Sequence, residues 1–338
     1  MLLVVWWSWN YTTWATNELD PGSIPVRLLL LALMLASLLM AIAIPEAFGE
    51  RALLFAGCYV AIQVGRTAFL TFAAADRGTV ERARAARILV WFLGSGALWI
   101  AGALADGSAR TLLWLVALAL DYGAPLVTFW LPGATRLGPE AWEVGSEHFA
   151  ERFQLFIIIA LGETIVITGA TTAELELTMA TVTAFALAFL STAALWWLYF
   201  NFVAGVAQRG LERSGNRTLL ARDAYTYLHV VLVAAILLSA VGDELVIAHP
   251  TEALPDAELL VLVAGPAGYL LAHVILRLRM TGTLSARRLS GAVACLAVGL
   301  LAGSAPALVV AALLFAVLVA VIVADQVMVT RRAHAGVA

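Results

Sequence analysis

The chain reads as all-α, a polytopic transmembrane helical bundle of about eleven helices forming a single integral membrane domain over residues 1–338. Three observations predict this. Of its 338 residues, 62% are apolar and 13% charged, against about 45–50% and about 25% in a soluble domain. No soluble fold of this length could bury that excess. The apolar residues fall in runs close to the ~20 residues that one bilayer crossing needs, and the arginines gather on alternate connections.

The apolar segments run over residues 1–18, 25–44, 51–75, 86–105, 110–131, 147–170, 177–204, 219–247, 257–279, 286–304 and 306–329. The first is rich in aromatic residues and is followed by Asp20-Pro21-Gly22, a turn signal. The second ends at Pro45. The fifth (DYGAPLVTF) and the ninth (AGPAGYLLAH) carry Gly and Pro in mid-run. Proline removes a helix hydrogen bond, so both read as interrupted or kinked helices, and broken helices at the midplane often form transporter sites. Gly303-Ser304-Ala305-Pro306 reads as a tight hairpin between the last two segments, and Gly299 with Gly303 as a close helix-packing motif. Connections are short and no soluble domain is inserted.

All 20 basic residues are arginine. Seventeen of them, from Arg27 through the Arg82–Arg87 cluster to Arg331 and Arg332, flank the ends of the odd-numbered segments; only Arg51 and Arg110 flank the other side. The positive-inside rule then puts those ends and the C-terminus in the cytoplasm, and Met1 outside. Residues 1–14 have neither the charged start nor the cleavage site of a signal peptide. An outside start leads to the expectation of one further helix upstream, twelve in all, with a genuine eleven-helix protein as the alternative.

Composition excludes several chemistries. Without lysine there is no Schiff base and no P-loop. A net charge of −3 gives no case for nucleic acid. Cys58 and Cys295 lie in apolar runs and read as small hydrophobes. No HExxH, GxSxG, GxGxxG, CxxC or DDxxD motif occurs, so neither a cofactor nor a metal is expected.

Three charges lie near the middle of their segments: Arg66, Asp121 and Glu163. Each costs roughly 2.5–3.5 kcal/mol on insertion scales and so faces a partner or a cavity. Arg66 is expected to pair with Asp121 or Glu163, as a structural ion pair or as a binding or proton-handling centre. In the sixth segment His148, Arg152, Phe156, Ile159 and Glu163 share a helix stripe, and Glu147, Glu151 and Gln154 an adjacent one. His148 and Glu151 are spaced to ligate a metal or, more simply, to cap the helix. In the eighth, Asp223 with Tyr227 and Tyr225 with His229 make the arginine-bearing half polar; His229 is either a proton shuttle or a packing histidine. Asp243 and Glu244 at its far end read as solvated. Together with Asn10, Asn17, Asn201 and His273, these residues suggest a cavity open to the cytoplasm and closing near the bilayer centre.

The stretches WWSWNYTTWATNELDP, YVAIQVGRTAF, HFAERFQLFIIIALGETIVITGA, AYTYLHVVLVAAILLSAVGDELVIAHP and GPAGYLLAHVILRLRM resemble the bacterial low temperature requirement protein A family over nearly the whole chain. The resemblance implies a bacterial multi-pass protein of the cytoplasmic (inner) membrane, linked by name to growth in the cold, and it transfers no catalytic residues. The family's acidic-aromatic opening helix, of the form ELFFDLVFV, has no counterpart here.

The first functional reading is a secondary transporter or permease for a small solute or ion, with protons as a coupling candidate. Glu163 would be the coupling carboxylate, Arg66 the anion-binding or neutralising group and Asp121 its counter-charge, with Asp223 and His229 along the cytoplasmic route. The alternative is a membrane-embedded enzyme acting on a lipid or lipid-linked substrate through Glu147, His148, Glu151, Asp223 and His229. Expected partners are the lipid bilayer and the small-molecule or ion substrate, with homo-oligomer formation compatible with either reading.

Overall fold

The computed structural model describes residues 1–74, 79–142, 146–202, 205 and 217–334. Among the described residues there is no strand, and eleven long helices correspond one for one to the eleven apolar segments. They are α1 (Leu2–Thr16), α2 (Ile24–Ala43), α3 (Ala52–Phe69), α4 (Val80–Leu104), α5 (Gly107–Gly123), α6 (Ser146–Ala173), α7 (Met179–Phe202), α8 (Thr218–Ala248), α9 (Asp256–Thr281), α10 (Ala286–Ala302) and α11 (Ala307–His334). Two contain wider, π-helical turns: Leu70–Ala74 closes α3, and Arg222–Leu228 lies inside α8. Eight are long and apolar enough to cross a membrane. The other three, α1, α5 and α10, have 15, 17 and 17 residues.

Two boundary differences have a local chemical cause. α4 starts at Val80, six residues before residue 86, because Thr79 caps it: its hydroxyl accepts from the Arg82 amide at 3.3 Å. An apolar count misses this turn because Arg82 and Arg84 fall in it. α5 ends at Gly123 instead of running to 131. The chain turns at Pro125, and Thr128 and Phe129 adopt φ of 52° and 50°, a conformation no helix can continue. The interruption expected in the fifth segment is therefore a true helix end. The ninth segment behaves differently: α9 runs unbroken through Pro266.

The chain folds as two compact units, Met1–Gly145 and Ser146–Ala338. In the first, α3 packs against α1, α2 and α4, and α4 against α5. Glu18, in the turn after α1, pairs with Arg84 of α4, whose Nη1 also donates to the Ala141 carbonyl at 2.6 Å. Burial holds the Glu18 carboxyl above the ordinary glutamate range, outweighing the downward pull of Arg84.

In the second unit α8 and α9 are the inner helices, each 61% buried over its apolar stretch, against 33% for α6, α7 and α11. Glycines let these helices approach. A Cβ on Gly242 would lie 2.8 Å from Leu262 Cα, and one on Gly265 2.4 Å from Ser239 Oγ and 2.7 Å from its amide nitrogen. The paired glycines Gly299 and Gly303 do the same for α10 against Val263 and Leu259 of α9. Close backbone approach through small residues is how membrane helices gain packing energy, since lipid is as apolar as leucine.

Gly265→Ala is therefore expected to destabilise the protein by about 1–3 kcal/mol, because the obstructing atoms include Ser239 backbone. Gly57→Ala in α3, which meets nothing within 4 Å, should leave the unfolding midpoint unchanged or slightly raised. Thermal unfolding of the two purified variants checks this; equal midpoints would remove the close-crossing explanation.

Candidate functional site

In the first unit, Tyr59, Gln63 and Arg66 follow one another at intervals of four and three on α3, so they share a face. All three are buried, as is Asp121 near the end of α5. Arg66 and Asp121 do not touch; the direct pair expected from the sequence is replaced by a relay. Arg66 Nη2 donates to Gln63 Oε1. Gln63 Nε2 donates to the Tyr59 oxygen at 3.2 Å, and the Tyr59 hydroxyl donates to Asp121 Oδ2 at 2.7 Å. Every donor points from the cation toward the anion, so each bond polarises the next.

The two ends of the relay are anchored differently. Arg66 Nη1 donates to the Ser8 carbonyl at 3.3 Å and to Thr12 Oγ1 at 3.1 Å, both on α1. Its guanidinium also lies 5.6 Å from the Tyr11 ring centre and 5.9 Å from that of Phe92, within cation–π range. These hydrogen bonds leave part of the five-donor capacity of an arginine unused. Asp121 Oδ2 also accepts from Trp99 Nε1 at 3.0 Å, and Ser95 is a further side chain acting on the carboxylate. Asp121 Oδ1 has no hydrogen bond among the described residues.

The second unit holds a buried histidine–tyrosine cluster on α7, α8 and α9. His229 Nδ1 lies 2.8 Å from the Ala224 carbonyl, within the π-helical turn of α8, and Nε2 lies 2.9 Å from the Tyr199 hydroxyl. A carbonyl only accepts, so Nδ1 carries the proton, and in the neutral ring Nε2 accepts from Tyr199. Tyr225 stacks on the same imidazole at 4.8 Å, and Phe153 of α6 meets it edge-on at 5.4 Å. On α9, His273 is fully buried against Tyr269 at 4.4 Å. Neither of its ring nitrogens has a hydrogen-bond partner among the described residues.

The remaining residues singled out from sequence are dispersed. Glu163 is exposed at mid-α6, without a hydrogen bond or ion pair among the described residues. Glu151 is exposed on the same helix, while the side chains of Glu147 and His148 lie outside the described residues. Among the described residues no group of three or more His, Cys, Asp or Glu could hold a metal. Asp223 is held by Arg222 at 2.8 Å and by Arg279 of α9 at 2.8 Å. Asp243, expected to be solvated, is 8% exposed, because the close α8–α9 crossing at Gly242 covers it. Sequence reading missed Tyr59, Gln63, Trp99 and Tyr199. The stepping of 59, 63 and 66 was available as a signal for the first two; Trp99 and Tyr199 are recognisable only once helices are paired. It also missed the cluster in which Arg287 and Arg288 Nε donate to Asp325 at 2.7 and 3.0 Å.

Tyr199→Phe deletes the donor to His229 and strands a buried acceptor, which should cost about 1–3 kcal/mol of stability. A lowered midpoint in thermal unfolding is the expected result. An unchanged midpoint would mean that this contact contributes nothing to holding α7 against α8.

The profile of the bacterial low temperature requirement A protein family matches residues 1–323 of the chain. An uncharacterized protein of Rhizobium meliloti (strain 1021) is 38% identical over 249 residues, which are 74% of this chain and 61% of that protein. The chain thus matches less than two thirds of that relative's length. No solved structure matches it. With a profile covering nearly all of the chain and, among the described residues, eight helices fit to span a bilayer, this is an integral membrane protein, and it belongs to the bacterial low temperature requirement A family.

Proposed function

We propose that the protein is a secondary transporter or permease for a small solute or ion. It would lie in the cytoplasmic (inner) membrane, with the arginine-rich helix ends facing the cytoplasm. The observation that carries this reading is the separation of the two buried charges in the first unit. An ion pair serving only stability gains most from direct contact, because Coulomb energy falls with distance and unpaired buried charge is costly. Arg66 and Asp121 are instead held apart by Gln63 and Tyr59, and each keeps unused hydrogen-bonding capacity. Arg66 can then receive an anionic group and Asp121 a proton or a cation. Ionisable groups inside membrane helices most often mark a substrate or ion path.

Protons are the first candidate for the coupling ion, since the Tyr59–Asp121 and Tyr199–His229 pairs join groups able to exchange them. An enzyme working at the lipid headgroups fits less well. Asp223 is occupied by two arginines, and both nitrogens of His229 lie within hydrogen-bonding distance of protein atoms.

The test is reconstitution of the full-length protein into liposomes, with lumenal pH and membrane current recorded under an imposed potential across a panel of small anions and cations. Solute- or proton-dependent flux is expected from the wild type, lowered at least about tenfold in Arg66→Gln and in Asp121→Asn. Glu163→Gln is the paired variant: lost flux would assign coupling to α6, and retained flux would discard that residue alone. A folded wild type that passes neither protons nor any solute, or flux indifferent to both Arg66 and Asp121, would overturn the reading.

A further inference from the structure

The second unit contains a buried carboxylate apart from its histidine–tyrosine cluster. Asp243 lies near the end of α8 away from the arginine-rich side, buried to 8% exposure. No hydrogen bond or ion pair engages it among the described residues. It lines a cleft between α7, α8, α9 and α11 together with Ser191, Ser239, Leu262 and Pro266. The cleft has room for about one water molecule. That is space for an ion and far too little for an organic solute.

Three lining side chains carry oxygen, those of Ser191, Ser239 and Asp243, set in a wall otherwise made of apolar residues such as Leu195, Leu314 and Phe315. Ser239 sits four residues before Asp243, on the same face of α8. Its hydroxyl proton is committed to the Ala235 carbonyl at 3.0 Å, which leaves its oxygen able to act only as an acceptor or ligand. Ser191 of α7 has no hydrogen bond among the described residues. Pro266 lies inside α9 and lacks the amide that would bond to the carbonyl four residues earlier. That carbonyl belongs to Leu262, itself a lining residue. Carboxylate, hydroxyl and freed carbonyl oxygens are what hard cations select, and carbonyls released at irregular helix positions hold coupling ions in transporters. The glycine contacts at Gly242 and Gly265 bring this part of α9 against Ser239 and Asp243. With only one carboxylate in the cleft, the charge matches a monovalent ion; calcium sites gather several.

We infer that Asp243, Ser239, Ser191 and the Leu262 carbonyl form a binding site for a small monovalent cation, with Na⁺ as the probe. Binding here does not depend on the transport reading, and it is measured without transport, so either can fail alone.

The experiment uses the full-length protein in nanodiscs. Binding of ²²Na⁺ is followed directly, and the unfolding midpoint is followed as NaCl replaces choline chloride at constant ionic strength. Saturable ²²Na⁺ binding is expected, with a midpoint that climbs with Na⁺ as linkage requires. Asp243→Asn should weaken binding at least about tenfold. Ser191→Ala, which removes one oxygen without disturbing the charge, should weaken it less. Equal midpoints in Na⁺ and choline, or wild-type ²²Na⁺ binding in Asp243→Asn, would overturn the site. Should Asp243→Asn fail to fold, Ser191→Ala and the wild-type choline comparison decide it: no saturable binding, or binding unaffected in Ser191→Ala, counts against the site.

Discussion

Arg66 is buried inside a helix long and apolar enough to cross the membrane, and the first unit is arranged around meeting the demand that makes. A guanidinium at such a depth needs acceptors that lipid cannot supply. It finds them in the Ser8 carbonyl and the Thr12 hydroxyl of α1 and in Gln63 of its own helix. The rings of Tyr11 and Phe92 flank it. Satisfying one side chain thereby fixes α1 and α4 against α3. The relay then carries the constraint outward. Gln63 orients Tyr59, Tyr59 holds Asp121 of α5, and Asp121 accepts from Trp99 of α4. Trp99 in turn accepts through its carbonyl from Trp114 of α5 at 2.9 Å. Four helices are tied by a single connected network, and such a network rigidifies only when its members are satisfied together.

The second unit solves the same problem by another route. Its charged groups are paired where they lie toward the arginine-bearing ends: Asp223 with Arg222 and Arg279, Asp325 with Arg287 and Arg288. Deeper in, glycine-mediated contacts bring α8, α9 and α10 together, and polar side chains come to rest in a core of aromatic rings. Among the described residues, buried His273 and Asp243 lie outside this pairing. Unsatisfied polar groups are costly in a bilayer; His273 lies against Tyr269, and Asp243 borders a water-sized cleft.

Sequence patterning made the architecture legible because the bilayer sets a length scale that hydropathy reports directly; each of the eleven apolar runs has its helix. It failed at edges governed by local chemistry. The start of α4 depends on the Thr79 cap and on arginines that an apolar count rejects, and α5 stops where Thr128 and Phe129 take positive φ. Arg66 and Asp121 were identifiable as buried charges because charge in an apolar run is conspicuous. Their mode of connection was not, because Tyr59 and Gln63 are unremarkable residues until α3 faces α5. Asp243 misled for the opposite reason: beside Glu244 near a helix end it looks solvated, and only the contact of Gly242 with Leu262 encloses it. Pro266 suggested a broken helix, yet α9 passes through it and loses one backbone hydrogen bond instead of its course.

The two buried charges of the first unit are joined through Gln63 and Tyr59, so they should act on each other through that relay. A double-mutant cycle tests it most directly, with unfolding free energies measured for Arg66→Gln, Asp121→Asn and both, first in the wild-type background and then in Gln63→Leu. The expected coupling between Arg66 and Asp121 is at least about 1 kcal/mol, falling to within the about 0.3–0.5 kcal/mol additivity limit once Gln63 is removed. Coupling of the same size in both backgrounds would contradict it, since the charges would then sense each other without the relay.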